Sequence, residues 1–301
     1  MKIEASTAQI VPPHPNPRRP QAAVPAGACD THAHVFAPHG VYPYAERRPY
    51  TPAPGTDLAA YRRTLRALGI EHAVLVHSNI YGPDNRATLD ALAALAGSAR
   101  GIALVTPAID DAALRRLDAC GMRGMRINLE FPGEMGLAEV EDMAPRLADL
   151  GWHLQVLVQT ERLPDIASRL RALPIAVVID HMGLPAPERG IETAGLAALL
   201  DLLEHGHCWV KLSAPYYGNN DRPGYAFATA VATRLLALRP DRMLFGTNWP
   251  HPHSSPAPDD GDLIDWLAAV AGGRAQLHQV LVENPSRLYG FRALEPSAQR
   301  S

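Results

Sequence analysis

The sequence is short of most features that would narrow its function quickly. Its 301 residues include only three cysteines, Cys29, Cys120 and Cys208, with no CxxC spacing and an odd count. They read as reduced thiols, which excludes a disulfide scaffold. Charge of one sign is also missing: 28 Lys and Arg stand against 31 Asp and Glu, a formal net charge of -3. That balance leaves no electrostatic footprint for nucleic acid or for a membrane surface. No apolar run approaches the ~20 residues of a membrane span. The N-terminus has an early lysine but no apolar stretch behind it, so a secretory signal is not expected. Neither a GxGxxG nor a P-loop pattern occurs, which removes the usual nucleotide folds. A cytoplasmic, enzyme-sized globular chain is the expectation, and 47 % hydrophobic residues suffice for a large core.

What is present is alternation. Short apolar runs suggest strands over 28–35, 72–77, 101–107, 124–129, 153–158, 176–180, 208–212 and 243–246. Between them, apolar residues at three- and four-residue spacing suggest helices over 57–68, 85–96, 111–120, 137–150, 162–173, 193–205 and 225–238, with two more over 260–271 and 274–282. Asp57 and Asp84 are placed to open helices, and Gly69 and Gly121 to end them. Eight apolar strands in this order predict a single-domain α/β fold, a distorted (β/α)8 barrel over 28–292. An arm over 1–27, rich in Pro and Ala and read as extended or partly disordered, precedes it, and a tail over 293–301 follows. In such a barrel the active site lies at the carboxyl ends of the strands. The loops over 36–56, 213–224 (with Tyr216, Tyr217 and Asn219) and 247–259 would roof it.

Polar side chains that interrupt apolar strand ends are the site candidates, because an unpaired polar group there costs stability. They are His32 and His34, His77 and Ser78, Arg126 and Asn128, Gln159 and Glu161, Asp180 and His181, Lys211 and Ser213, and Asn248 and His251. His32 and His34, two apart on a strand, point to one face. With a distant histidine and a strand-end carboxylate, this is the pattern that holds a catalytic divalent metal. A single histidine in such a place is more often a hydrogen-bonded core residue, and Arg126 could equally be one half of a buried ion pair.

The stretches Asp30-Thr31-His32-Ala33-His34, Tyr81-Gly82-Pro83-Asp84-Asn85-Arg86, Gly124-Met125-Arg126-Ile127-Asn128, Asp180-His181-Met182-Gly183 and Gly246-Thr247-Asn248-Trp249-Pro250-His251-Pro252 carry a resemblance. Together with the Asn284-Pro285-Ser286 close, they make the chain similar to the amidohydrolase superfamily. Within it the nearest branch is that of the pyrone dicarboxylate lactonases, sulfomuconolactone hydrolases and galactarolactone isomerases. The resemblance implies attack on a lactone carbonyl. It assigns His32, His34 and His181 either to one divalent metal, zinc first, or to metal-free polarisation of the carbonyl. It also places Tyr50, Ser78, Asn128 and His77 around the substrate and Arg126 on a carboxylate. Leu129-Glu130 and Ala214-Pro215-Tyr216-Tyr217 stand where further arginines would be expected, so a substrate with one acidic group, or a neutral hydroxylated one, is implied.

Asn248 departs from the aspartate that hydrolases of this branch carry. An amide orients water but cannot deprotonate it. Three explanations stay open: an aspartate exchanged for asparagine, an isomerase in which a substrate hydroxyl attacks, or a hydrolase with another base, His251 or His77. A pocket that kept binding and lost chemistry, and a metal-dependent decarboxylase, are further alternatives. The expected function is opening of a lactone from aromatic or sugar-acid breakdown. Its expected partner is that small molecule, with neither nucleic acid nor membrane, and nothing in the sequence fixes an oligomeric state.

Overall fold

A computed structural model describes residues 4–131, 135–205, 207–217 and 224–291. Asn219 and the tail over 293–301 lie outside the described residues. Eight parallel strands run in sequence order around one sheet: β1 Cys29–Ala33, β2 His72–Val76, β3 Ala99–Ala103, β4 Met122–Asn128, β5 His153–Leu157, β6 Val177–Ile179, β7 Cys208–Ser213 and β8 Met243–Gly246. Helices α1 Leu58–Leu68, α2 Arg86–Ala94, α3 Asp111–Ala119, α4 Leu137–Asp149, α5 Leu163–Ala172, α6 Ala194–Glu204 and α7 Ala226–Leu238 join them, and α8 Asp260–Ala271 follows β8. This is the expected barrel.

The strands are buried on both faces, as parallel strands under helices must be. Both expected ends of α1 agree, whereas the N-cap of α2 is Asn85, one residue after Asp84. The Asp57 carboxylate accepts from the Ala60 N–H, and Gly69 closes α1 in the left-handed region at φ 72°. Three elements differ from expectation. β3 and β4 each begin two residues early, at Ala99 and Met122, and β3 ends at Ala103 rather than 107; its Arg100 lies over the Phe291 ring. The helix expected over 274–282 is three joined pieces, α9 Arg274–His278, a π-turn Gln279–Glu283 and α10 Asn284–Tyr289. Buried Asn284 holds the last piece under the barrel by donating to the Pro240 and Met243 carbonyls.

The barrel interior is layered. Trp209, Val74, Ile102, Val178 and Leu244 pack with Tyr289 and Phe291 in one apolar cluster. Two residues beyond Trp209 on the same strand face, Lys211 begins the polar layer. Closure between β8 and β1 is by single bonds rather than a ladder. The Asn248 N–H donates to His32 O at 2.8 Å and the His34 N–H to Trp249 O at 2.7 Å. Asp30, fully buried in β1, accepts from the Thr247 N–H, the Thr247 hydroxyl and Tyr61. Gly246 is required here, since a Cβ would stand 2.5 Å from the His32 Cβ.

Outside the barrel, the segment over 4–27 runs first along Thr51, bonding it through Ala8 and Ile10. It then reaches α8, where Arg18 pairs with Asp262 and Asp265. No helix among the described residues is long and apolar enough to cross a membrane.

Candidate active site

The two histidines of β1 enter the barrel together. Their Nε2 atoms stand 3.3 Å apart and their ring planes are nearly perpendicular. His34 Nδ1 is 2.8 Å from the Val76 carbonyl, a contact that requires its hydrogen on Nδ1 and leaves Nε2 as an acceptor. His32 Nδ1 lies 3.2 Å from Asp180 Oδ1 and 3.3 Å from Lys211 Nζ. Lys211 donates to Gln155, whose amide donates in turn to Asp180 Oδ2. Arg126 approaches the same carboxylate at 3.7 Å. His181, at the end of β6, bonds Ser213 through Nδ1 at 2.7 Å and tilts against His32 at 4.6 Å between ring centres.

Burial, reinforced by the Lys211 and Arg126 charges, holds these imidazoles neutral. His34 is pushed down to about 3, and His32 and His181 fall well below the ordinary histidine value. Burial also brings Lys211 down to about 8.

Above this layer is a hollow of about 40 Å³, lined by Tyr50, Ser78, Arg126, Asn128, His181 and Tyr217, among others. Five residues picked from sequence therefore meet there. Tyr50 and Ser78 bond each other at 3.1 Å. Arg126 is buried, donates to His77 O at 3.4 Å, and has no partner for its Nε. Asn128 accepts from the Glu130 and Phe131 N–H groups, holding the loop after β4. The Glu130 carboxylate turns away and accepts from Gln159.

Two expectations need correction. His77 does not enter the mouth: Nδ1 contacts the Thr88 hydroxyl at 2.8 Å and Nε2 the Gly82 carbonyl at 3.0 Å, so the ring is a satisfied core group. His251 is also enclosed. Its Nε2 lies 3.1 Å from Asp260 Oδ1 and its Nδ1 3.1 Å from the Tyr216 hydroxyl. Asn248 is fully buried under the two tyrosines of the β7 loop, donating through Nδ2 to Tyr216 at 3.0 Å and to Tyr217 at 2.9 Å. Its Oδ1 has no partner. Asp260, His251, Tyr216 and Asn248 thus form one buried line, of which Tyr216 was expected only in the roofing loop and Asp260 was not singled out from sequence.

Backbone strain gathers at the same rim. His181, Met182, Leu184, Ala214, Asn248, His251 and His253 all have positive φ, although none is glycine. Such residues cost on the order of 1–3 kcal/mol each and cluster where the surroundings over-determine them for function.

Among the described residues, one group could hold a divalent ion. His32, Asp180 and His181 each offer a donor atom, all within 4.8 Å of one another. Neutral imidazoles beside a buried carboxylate oxygen without a hydrogen-bond donor are donors of the right type. His34, expected among the ligands, is not in this group, although its Nε2 stands 3.3 Å from that of His32. Gln155 and Lys211 are the polar partners of the set. Each is a polar residue flanked by apolar ones within its strand, a signal that marked Lys211 among the candidates and could have marked Gln155.

The amidohydrolase family pattern matches residues 29–291. The chain is 38% identical to the 2-pyrone-4,6-dicarboxylate hydrolase of Comamonas testosteroni, over 91% of this chain and 93% of that one. It is 36% identical to the 4-sulfomuconolactone hydrolase of Hydrogenophaga intermedia, over 96% of each. With the D-galactarolactone isomerase of Agrobacterium fabrum it shares 31% identity over 90% and 93%. The apo crystal structure of an Agrobacterium tumefaciens protein superposes with a TM-score of 0.81 at 30% identity, over 91% of this chain and 100% of that one.

Proposed function

The chain belongs to the amidohydrolase family, and we propose that its barrel mouth opens the ring of a small acidic lactone. The observation that carries this reading is the meeting of Arg126, His181, Tyr50 and Ser78 on one hollow above the His32–His34 pair. In it, Arg126 binds the acid group of the substrate, as a buried guanidinium with an unused donor is suited to do. Of the imidazoles, His181 borders the hollow and faces the reacting carbonyl. Water adds to the acyl carbon, the ring C–O bond breaks, and the proton of the water ends on the departing ring oxygen to give a hydroxy acid. With no metal bound, neutral His181 is the base, through the Nε2 that its Ser213 contact leaves open. Asn248 holds the attacking oxygen through Oδ1, while Tyr216, His251 and Asp260 position that amide.

A divalent ion held by His32, Asp180 and His181, zinc by ligand preference, would supply Lewis acidity toward a carbonyl. Metal analysis of protein purified without chelator, set beside activity after chelation, tests this. The expected result is metal bound in proportion to activity, and full activity in metal-free protein removes the ligand role.

A second reading is favoured by Asn248 itself. Its amide takes no proton, and an isomerase needs none taken from water because a hydroxyl of the substrate attacks. The decisive measurement is a panel of acidic lactones followed for both acid release and ring migration. The lactonase reading expects slow acid release from the present protein and an increase of about 10²–10⁴-fold in Asn248→Asp. Ring migration without acid release in the present protein would establish the isomerase instead.

A further inference from the structure

Two hollows meet at the end of β4. The smaller, over the imidazoles, holds about 40 Å³, on the order of one water's ~30 Å³ share of the liquid. It has room for a reacting carbonyl and the attacking oxygen but not for a substituted ring. The larger, about 560 Å³, lies between the loop after β1 and the ends of β3 and β4. Whole small-molecule sites are typically ~300–1,000 Å³. Asn79, Arg126 and Asn128 line both spaces, so a molecule held by Arg126 over the imidazoles has its remaining atoms at the entrance of the larger one.

Most of the chamber wall is flat or apolar, with Glu46, Asn79, Asp84 and Asn128 as its polar members beside the two arginines. Tyr44, Tyr81 and Phe131 present rings, and Leu104 and Val105 fill between them. The Arg47 guanidinium lies 4.8 Å from the centre of the Phe131 ring, making a planar face at one side. The buried Nε of Arg126, without a hydrogen-bond partner, stands where the two spaces join. The three rings and the aliphatic side chains between them reward burial of apolar and aromatic surface.

We propose that this chamber is a binding site for a flat apolar arm of the substrate, of the size of a phenyl ring. The preferred substrates are then acidic lactones bearing an aryl substituent, with the acid group at Arg126 and the arm beyond it. This rests on the lactone reading above, to which it adds the substrate class.

The test compares two γ-lactone carboxylates that differ only in carrying a phenyl or a methyl group, with the native chain and with Ala45→Trp. Ala45 borders the chamber and is not part of the small hollow. The native protein is expected to favour the phenyl compound in kcat/KM at least tenfold, and the indole is expected to reduce that ratio to near one. Using the ratio removes any general loss of folded enzyme. Equal use of both compounds by the native protein, or a preference that survives Ala45→Trp, overturns the proposal. Should neither lactone be opened or rearranged, the lactone reading fails, and calorimetric binding of the two ring-opened hydroxy acids then decides. Tenfold tighter binding of the phenyl acid, lost in Ala45→Trp, keeps the chamber as an aryl site, and equal binding dismisses it.

Discussion

Arg126 is shared between two tasks. It helps hold the buried Asp180 carboxylate at 3.7 Å, and it is the cation at the border of the hollow where an acidic substrate would sit. A charge-assisted contact is worth ~1.5–3 kcal/mol, so Arg126→Ala is expected to raise KM for an acidic lactone by about 10–100-fold, with kcat changed less. Steady-state kinetics on one acidic lactone checks this, and an unchanged KM would remove the carboxylate anchor. At this scale the sequence was informative wherever a polar residue interrupted an apolar strand end: Arg126 and His181 were visible for that reason, and so was the His32–His34 pair. Strand periodicity says which face a side chain takes, but not what waits on that face. His77 looked equivalent to its neighbours, yet Thr88 and Gly82, both later in the chain, occupy its two nitrogens. The partner of His251, Asp260, is the first residue of α8, where an acidic residue reads as an ordinary helix start.

Among the elements, β8 carries the heaviest geometric demand, because Gly246 lets its backbone pass the His32 Cβ. Gly246→Ala would force β1 and β8 apart where three elements meet, and a clash of this kind in a packed interior costs ~1–3 kcal/mol. A lowered urea midpoint with an unchanged slope is the expected outcome, and a midpoint equal to that of the native chain would show the seam to be loosely packed. The strand and helix order was readable because each element is long enough to show its period. Less was readable where a residue works against type. Arg100 lies inside β3, just before the apolar run from which that strand was read, and the π-turn after α9 has no periodicity of its own to recognise. The left-handed residues at 181, 182 and 184 likewise have no marker in composition, since glycine, the usual sign, is absent from all three.

For the molecule as a whole, buried neutral imidazoles set a limit on acid tolerance. Unfolded histidine takes its proton near pH 6.5, whereas burial pushes His77 down to about 4 and His153 down to about 3. Between those values the unfolded chain binds more protons than the folded one, so the stability present above pH 6.5 is lost as pH falls toward 4. Each ring contributes on the order of 2–3 kcal/mol to that loss. Urea midpoints measured from pH 7 to pH 4 should fall steadily, with a shallower fall in His77→Gln. A flat profile in the native chain would mean that both rings are already accessible to protons when folded.

The closure between β8 and β1 has a consequence for how this enzyme could be altered. The bonds that shut the barrel are made by the backbones of His32, His34, Asn248 and Trp249, so chemistry and closure share one stretch of chain. Substitutions tried there to change the reaction are tried at the point where the fold is joined, and few will be neutral. The chamber beyond Arg126 is walled partly by residues of the loop after β1, such as Tyr44, Ala45 and Arg47, which close nothing. New specificity has a cheap route through that loop, while new chemistry must pass through the joint that holds the molecule together.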